Sequence, residues 1–238
     1  MLYEWDNLPY YKLTELNYSH HSNETLVLFA DVNLLNETLK LDQKRCLSDD
    51  EMERYQRFKI PQFASNFFLF HTLKRQILGA ILGIEPARVQ FSVTKYGKPY
   101  LTNSTPDLRI NYSHSSHYFA LAASQVEVGI DIESHEKVMS DCLTIAKRYL
   151  VNSDYESLQM IQDTKQRSRE FYAMWNRYES TAKLLGINLA DVLHHEHSHI
   201  SDNVRIIPFT FPPETQFGTG SLAVNKNDNS TLKFLRIC

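Results

Sequence analysis

Two acidic side chains near the middle of the chain could hold a divalent cation. The segment Val128–Glu133 alternates apolar residues with others, which predicts a β-strand with Asp131 and Glu133 on one face. Alternate residues of a strand lie roughly 7 Å apart, so two carboxylates there could share a hard cation such as Mg²⁺ through their oxygens. A half-exposed strand with a solvated acidic face explains the same pattern, and is the simpler interpretation of this segment alone.

A second group of candidate residues lies on a predicted helix over residues 167–185. Trp175, Glu179 and Lys183 follow one another at intervals of four residues and therefore share one face of that helix. Glu179 and Lys183 could be an ordinary surface ion pair, worth about 0.2–0.5 kcal/mol. A catalytic role would require Glu179 to face the two acids of the strand, where three crowded carboxylates repel one another unless a metal ion neutralises them.

Two shorter segments offer phosphate contacts. Gly97 and Lys98 lie in a turn between Tyr96 and Pro99, whereas Ser113 and His114 lie near the end of a predicted strand. Lysine, serine, histidine and the backbone amides of a glycine turn can all donate hydrogen bonds to phosphate. Taken singly, these residues are as readily explained as a turn lysine and a hydrogen-bonded histidine.

In their order and separation, these segments resemble the Sfp-type (surfactin-synthetase-type) 4′-phosphopantetheinyl transferases. The resemblance extends from about residue 47 to about residue 207 and is carried by four motifs: Gly97-Lys98-Pro99, Asn111-Tyr112-Ser113-His114-Ser115, Gly129-Ile130-Asp131-Ile132-Glu133, and Trp175 with Glu179, Ser180 and Lys183. It implies an α+β fold of two pseudo-symmetric lobes with the active site in the cleft between them. It also implies magnesium-dependent transfer of the phosphopantetheine arm of coenzyme A to a serine of an apo carrier protein, with release of 3′,5′-ADP.

The resemblance implies a role for each candidate residue. Asp131, Glu133 and Glu179 would be the ligands of Mg²⁺, for which Mn²⁺ is an alternative. Glu179 would also receive the proton of the carrier serine, and Lys183 would approach the bridging oxygen of the diphosphate. The residues implied to contact coenzyme A are Arg54 (at the 3′-phosphate), Lys98, Ser113, His114 and Lys183.

Three positions depart from the family pattern. Tyr178 precedes the implied metal ligand where the family usually has lysine, and Glu51 and Asn66 stand where phosphate-binding basic residues are common. Tyrosine is neutral at physiological pH, so we expect weaker coenzyme binding or an altered way of holding the 3′-phosphate. Asp154 matches an auxiliary acid of the family. A degenerate, non-catalytic module that binds coenzyme A or a carrier protein is the alternative that these departures leave open.

A histidine cluster, His194–His199, raises a remoter alternative. Its His195-Glu196-His197-Ser198-His199 string is a literal H-E-x-x-H motif, which in zinc peptidases lies on a helix with both histidines facing the metal. The chain alternates like strands from about residue 192, so we predict a strand, a turn and a strand here. On a strand Glu196 would point away from the histidines, which is why a metallopeptidase is the less favoured reading.

The elements that must position these residues follow from local patterns. A capping box at Ser48–Glu51 predicts a helix, and a second helix should run from Pro61 to Leu82 and stop at Gly83. The further predicted helices are 141–150, 154–163 and 167–185; the predicted strands are 25–32, 89–93, 108–110, 118–123 and 126–132. Helices followed by strands occur twice, which predicts an N-terminal lobe at 1–125 and a C-terminal lobe at 126–238.

Composition excludes several classes of function. Of the 238 residues, 42% are hydrophobic, which is enough for a packed core. The net charge of −3 gives the protein no overall positive potential that would attract nucleic acid. No apolar run reaches the roughly 20 residues that span a bilayer, and three widely spaced cysteines form neither a disulfide framework nor a zinc motif. We therefore expect a cytoplasmic monomer. Its carrier protein would dock on residues of about 134–170, where no sequence motif identifies the carrier.

Overall fold

Two β-sheets form the centre of the protein. The computed structural model describes residues 3–4, 10–12, 16, 23–35, 46–104, 108–194, 202–211 and 218–237. The strands are β1 (Tyr3–Glu4), β2 (Tyr10–Tyr11), β3 (Glu24–Asp31), β4 (Phe91–Val93), β5 (Pro99–Leu101), β6 (Arg109–Ser115), β7 (Tyr118–Ser124), β8 (Val128–Ser134), β9 (Val204–Phe211), β10 (Gly218–Asn225) and β11 (Thr231–Ile237). One sheet has the order β2-β11-β3-β7-β6, the other has the order β1-β9-β10-β8, and β4 and β5 form a separate hairpin.

Helices cover the outer faces of both sheets. They are α1 (Asp49–Gln56), α2 (Pro61–Leu82), α3 (Cys142–Tyr149), α4 (Asn152–Met160), α5 (Thr164–Leu185) and α6 (Leu189–His194), with a 3₁₀ turn at Pro86–Arg88. This arrangement confirms the α+β class. Among the described helices, none combines the length and the apolar character that crossing a bilayer requires.

The layers follow from the alternation of side chains along the strands. On β3, Leu26 and Leu28 face α2 in one apolar cluster, whereas Val27 and Phe29 face the four-stranded sheet in a second cluster. The order of layers is therefore α2, five-stranded sheet, four-stranded sheet and α5. A third cluster joins α3, α4, α5 and α6.

Both sheets contain strands from each side of residue 125. In the five-stranded sheet β11 runs parallel to β3, with Thr231 opposite Glu24, and in the four-stranded sheet β1 runs parallel to β9, with Tyr3 opposite Phe209. The division into lobes 1–125 and 126–238 remains a prediction. Strand β1 lies in the sheet formed by strands after residue 125, and β11 lies in the sheet formed by strands before it.

Local signals predicted both ends of α2 and the carboxyl end of α5, whereas α5 begins three residues before the predicted residue 167. Pro61 begins α2, and Gly83 ends it with a φ of 66°, a left-handed conformation that suits glycine. Asp163 caps α5 by accepting a hydrogen bond from the Gln166 amide at 2.7 Å, and Gly186 ends it with a φ of 64°.

The strands predicted from about residue 192 onwards are present as β9, β10 and β11, but the prediction is wrong for residues 192–194. Leu189–His194 forms helix α6, because Leu189, Val192 and Leu193 recur at helical spacing and pack in the third cluster. His194 ends this helix, while 195–201 lie outside the described residues. The geometry expected of His195, His197 and His199 thus stays a prediction.

Glu51 explains one departure from the family pattern, because it organises the junction of α1 with α2. It completes the predicted capping box with Ser48, and its carboxylate accepts a hydrogen bond from His71 Nδ1 at 2.7 Å and from Lys74 Nζ at 3.2 Å. Arg75 forms an ion pair with the same carboxylate. Burial alone would raise the pKa of Glu51, but the His71 hydrogen bond and the two cations lower the pKa well below its usual range.

We expect Glu51→Gln to destabilise the protein by about 2 kcal/mol at neutral pH, since it leaves buried cations without their carboxylate. A carboxyl whose folded pKa is lowered stabilises the fold above its unfolded pKa of about 4.5, and this contribution is lost as the pH falls through and below that value. Urea unfolding between pH 7 and pH 3 measures the effect. The gap between wild type and variant should narrow as the pH falls, and a gap that stays constant would contradict the assignment.

Candidate active site

The candidate site lies where the edge strand of one sheet meets the edge strand of the other. We call this line the β6–β8 seam; it consists of Asn111, Ser113 and Ser115 on β6 with Ile130, Asp131 and Glu133 on β8. Asn111 Oδ1 accepts a hydrogen bond from the Ile130 amide at 2.8 Å. The Ser113 hydroxyl donates to Asp131 at 2.9 Å, and the Ser115 hydroxyl donates to Glu133 at 2.8 Å. The period of two along β6 thus aligns three polar side chains with the two acids.

Asp131 is buried rather than solvated. Its exposed fraction is 4%, which removes the interpretation of β8 as a strand with a wet acidic face. The Lys183 ammonium donates to Asp131 Oδ1 at 2.6 Å and to the Ser113 hydroxyl at 3.2 Å. Burial raises the pKa of Asp131, although Lys183 and Ser113 favour the charged form. Lys183 therefore reaches β8 instead of serving as a surface partner of Glu179.

The negative charge of Asp131 affects the pKa values of both Glu133 and Glu179. Burial is the main cause that raises the pKa of Glu179, and the Asp131 carboxylate raises it further. Burial also raises the pKa of Glu133, and the charges of Asp131 and Glu179 act in the same direction. Like charges shift one another's pKa in this way only at short range, so the acids of β8 and α5 lie in one electrostatic site.

Helix α5 approaches β8 closely because Gly129 has no side chain. A Cβ built on Gly129 would lie 2.0 Å from the Ser180 carbonyl oxygen and 2.3 Å from the Leu184 amide nitrogen. This contact places Glu179 and Lys183, on the same part of α5, beside the acids of β8. The glycine of the Gly-Ile-Asp-Ile-Glu motif is thus required by packing.

Buried hydrogen bonds hold α5 on the neighbouring strand β10. The Ser180 and Ser221 hydroxyls lie 2.6 Å apart, and Ser221 donates to the Asn176 carbonyl at 2.7 Å. Asn176 donates through Nδ2 to the Thr219 carbonyl at 2.7 Å. These contacts fix the rotation of α5, which determines where the face with Glu179 and Lys183 points.

Lys98 lies in a cavity next to the seam but is already paired. Its ammonium forms an ion pair with Glu127 and donates to the Leu184 carbonyl at 3.0 Å, at the carboxyl end of α5. The cavity measures about 230 Å³, and we call it the turn cavity. It is lined by Tyr96, Gly97, Lys98, Tyr112, Glu179 and Lys183, among others. The phosphate contact implied for Lys98 remains a prediction.

His114 lines a second cavity, of about 440 Å³, which shares Tyr112 with the turn cavity. We call this the aromatic cavity; its lining includes Phe58, Phe63, Asn66, Phe67, Phe70, His71, Lys74 and His114. The His114 ring stacks on Phe70 with centroids 4.4 Å apart. Burial lowers the pKa of His114 and the charge of Lys183 lowers it further, so the ring is neutral at pH 7. Arg54 lies beside this cavity, with its guanidinium 5.3 Å from the centre of the Phe67 ring.

The donors of the seam suit a hard cation. Asp131 Oδ2 is buried and accepts no hydrogen bond within the described part of the chain, and the neighbouring Glu133 and Glu179 supply further carboxylate oxygens, the ligands that Mg²⁺ prefers. In the same part of the chain, no three His, Cys, Asp or Glu side chains already stand as a metal-binding group. At Asp131 the Lys183 ammonium supplies the positive charge next to the carboxylate.

Tyr178 does not line either cavity. Its side chain packs in the third cluster with 5% exposure, and its hydroxyl donates to Asp154 Oδ2 at 2.7 Å. Arg177 forms an ion pair with the same carboxylate. Burial raises the pKa of Tyr178 to about 12, and the Asp154 hydrogen bond contributes to this. Tyr178 and Asp154 therefore tie α4 to α5, and weaker coenzyme binding due to Tyr178 remains a prediction.

We expect Tyr178→Phe to reduce the free energy of unfolding by about 1–2 kcal/mol, because the hydrogen bond to a charged carboxylate is lost without a change of shape. Coenzyme A affinity should stay the same, since the hydroxyl is bound to Asp154 on α4. Urea unfolding and calorimetric titration with coenzyme A measure the two quantities. A large loss of affinity without a loss of stability would show that the hydroxyl serves the coenzyme instead.

Sequence reasoning missed Asn111 and Ser115 as parts of the site. Both belong to the quoted Asn-x-Ser-x-Ser segment, and their spacing of two from Ser113 on a predicted strand was the available signal. The partners of Lys183 and Lys98 could not be found in this way, because Asp131 and Glu127 lie 52 and 29 positions away along the chain.

Comparisons with known proteins agree with this site. Residues 38–126 match the family model of the 4′-phosphopantetheinyl transferase N-terminal region, and residues 127–226 match that of the 4′-phosphopantetheinyl transferase superfamily. The transferase HetI of a Nostoc species is 33% identical over 152 residues, which cover 63% of this chain and 63% of HetI. The transferase Sfp of Bacillus subtilis is 29% identical over 144 residues, 60% of this chain and 62% of Sfp.

A human relative, L-aminoadipate-semialdehyde dehydrogenase-phosphopantetheinyl transferase, is 27% identical over 154 residues, 61% of this chain and 50% of that protein. The matched part of this chain thus spans less than two thirds of the length of each of these relatives. Two transferase models in tandem account for residues 38–226, and both sides of the seam fall within them. The chain therefore belongs to the Sfp-type 4′-phosphopantetheinyl transferase family.

Proposed function

We propose that this protein transfers the 4′-phosphopantetheine group of coenzyme A to a serine of an apo carrier protein, with release of 3′,5′-ADP. The observation that carries the proposal is that Asp131, Glu133, Glu179 and Lys183 lie close together at the β6–β8 seam, with two cavities beside it. Carboxylates that can hold Mg²⁺, next to a lysine, are groups that can neutralise a phosphorylated substrate.

Proton removal from the carrier serine is the role that suits Glu179. A base works best when its pKa lies close to the working pH, and burial raises the pKa of this carboxyl towards that range. The serine oxygen then forms a bond to the β-phosphorus of coenzyme A as the bond to the bridging oxygen breaks. Lys183 lies next to the same acids and can stabilise the negative charge on the departing oxygen.

The neutral His114 would orient the diphosphate by donating a hydrogen bond, and Ser113 belongs to the same proposed coenzyme-binding set. Asp131, Glu133 and Glu179 would hold Mg²⁺, or Mn²⁺ in its place, and the cation would neutralise the diphosphate when bound there. Arg54, beside the aromatic cavity, and Lys98, which lines the turn cavity, complete the proposed coenzyme-binding set.

Mass spectrometry of an apo carrier protein tests the proposal. Incubation with coenzyme A, Mg²⁺ and this protein should add one phosphopantetheine to the carrier serine, and Glu179→Gln should abolish the addition. Fatty-acid, polyketide and peptide carriers should be compared, because the sequence does not identify the carrier. No addition to any of them, with coenzyme A binding retained, would favour the degenerate binding module.

Removal of divalent cations tests the metal part of the proposal. Dialysis against a chelator should abolish transfer, and Mg²⁺ or Mn²⁺ should restore it. Transfer at the full rate in the presence of excess chelator would contradict the role assigned to the three acids. We further propose a cytoplasmic monomer, and gel filtration against standards measures its size.

A further inference from the structure

Lys183 and the proposed divalent cation depend on the same carboxylate. The Lys183 ammonium donates to Asp131 Oδ1 at 2.6 Å, and the Ser113 hydroxyl donates to the same oxygen at 2.9 Å. The Asp131 side chain is 6% exposed, so water does little to weaken this ion pair. The other oxygen, Oδ2, is buried and accepts no hydrogen bond from the residues that the structure describes. One oxygen of Asp131 thus serves the lysine, and the other is left to bind a cation.

The charge of Lys183 acts on the other two acids of the site as well. Burial raises the pKa of Asp131, Glu133 and Glu179, and the Lys183 ammonium acts in the opposite direction on the pKa of each. A cation bound by these acids would therefore lie close to a second positive charge, and the two charges repel each other. Lys183 should weaken cation binding at the seam.

The Lys183 ammonium also has room to leave Asp131. Its side chain is 27% exposed and lines the turn cavity together with Glu179. Lysine carries its charge on a flexible stem of four carbons, so the ammonium can turn from the carboxylate towards a bound ligand. The diphosphate of the proposed coenzyme is such a ligand, because phosphate oxygens accept strong hydrogen bonds from an ammonium group.

We propose that Lys183 competes with the divalent cation for Asp131, so that the cation binds tightly only when the coenzyme diphosphate has drawn the lysine away. This inference rests on the proposed transferase function and concerns the order in which its site is filled. By thermodynamic linkage, the cation and the coenzyme then strengthen each other's binding by the same factor. Lys183 thereby keeps the three acids from holding a cation tightly before the coenzyme is bound.

Binding of Mn²⁺ in the absence of a carrier protein tests the inference, because no transfer can then take place. Electron paramagnetic resonance measures the free hydrated ion, and so gives the dissociation constant with and without coenzyme A. Lys183→Gln removes the charge but keeps an amide that can donate to Asp131. Without coenzyme A, it should bind Mn²⁺ about tenfold more tightly than the wild type. The factor by which coenzyme A strengthens Mn²⁺ binding should be about tenfold smaller in the variant.

Further variants isolate the charge of this side chain. Lys183→Met should show the same gain in Mn²⁺ affinity as Lys183→Gln, whereas Lys183→Arg keeps the charge and should bind Mn²⁺ as weakly as the wild type. Thermal unfolding checks that each variant is folded. A gain in Lys183→Arg equal to that in the two uncharged variants would contradict competition by charge.

Lys165→Gln is the matched control. Lys165 is exposed and lies in the first turn of α5, at the opposite end of the helix from Lys183. Because water and salt screen its charge, this variant should leave the Mn²⁺ affinity unchanged. A gain in Lys165→Gln equal to that in Lys183→Gln would show a general effect of net charge and would overturn the inference.

The outcomes separate the two levels of the argument. If coenzyme A and Mg²⁺ support no transfer to any carrier, the proposed function fails and this inference fails with it. If transfer occurs and Lys183→Gln binds Mn²⁺ no more tightly than the wild type, only this inference fails. If neither the wild type nor any variant binds Mn²⁺ with coenzyme A present, the role of the three acids and this inference both fail.

Discussion

Asp131→Asn is expected to lower kcat/KM for phosphopantetheine transfer by about a thousandfold, since it removes the charge that positions Lys183 and that would bind the cation. The substitution keeps the size of the side chain, and its amide oxygen can still accept the Ser113 hydrogen bond. Because burial already raises the pKa of Asp131, a neutral group at this position should not weaken the fold. The loss should therefore appear in the transfer rate while the thermal midpoint is retained.

Glu85→Gln is the matched control for Asp131→Asn. It removes one negative charge from an exposed position at the start of the 3₁₀ turn, away from the seam. Steady-state transfer assays and thermal unfolding of both variants complete the measurement. If Asp131→Asn kept more than about a tenth of the wild-type kcat/KM, the seam could not be the catalytic centre.

Gly129→Ala is expected to destabilise the protein by more than about 3 kcal/mol and to abolish transfer. The added methyl group would lie 2.0 Å from the Ser180 carbonyl oxygen, and backbone atoms of a long helix cannot move aside as a flexible side chain would. Either α5 shifts away from β8, which separates Glu179 and Lys183 from Asp131, or β8 is deformed. Chemical denaturation and the transfer assay measure the two losses.

Gly83→Ala separates this clash from a general effect of glycine replacement. Gly83 has a φ of +66°, and a Cβ there would meet no atom within 4 Å. The variant should lose only about 1 kcal/mol, the cost of a left-handed alanine, and should transfer at the normal rate. Similar losses in the two variants would refute the close approach at Gly129 as the cause.

The sequence predicted the elements that local interactions determine. Helix α5 and strand β8 carry strong periodic patterns, and Ser48, Gly83 and Gly186 mark helix ends by their own hydrogen bonds and dihedral angles. The order of motifs also identified the acids and the lysine that share the seam. The helices, strands and helix ends could be predicted because interactions between residues close in sequence determine them.

Long-range pairing could not be predicted in the same way. The burial of Asp131 requires β6 and α5 on either side of β8, and the part played by Glu51 depends on side chains 20 to 24 residues further along. The family pattern suggested that Glu51 replaces a basic residue that binds phosphate. In the structure, its carboxylate forms ion pairs with Lys74 and Arg75. Helix α6 was missed because six residues are too few for a clear period.

The exchange of β1 and β11 between the sheets has a consequence for any attempt to divide this molecule. Cleavage of the loop near residue 125 would separate β11 from the five-stranded sheet, where it lies between β2 and β3, and β1 from the four-stranded sheet, where it lies next to β9. Neither polypeptide should become structured alone, whereas a mixture of both should recover the assembled enzyme by complementation. Because β1 and β11 each pair with strands from the other half of the chain, we expect the two halves to fold only together.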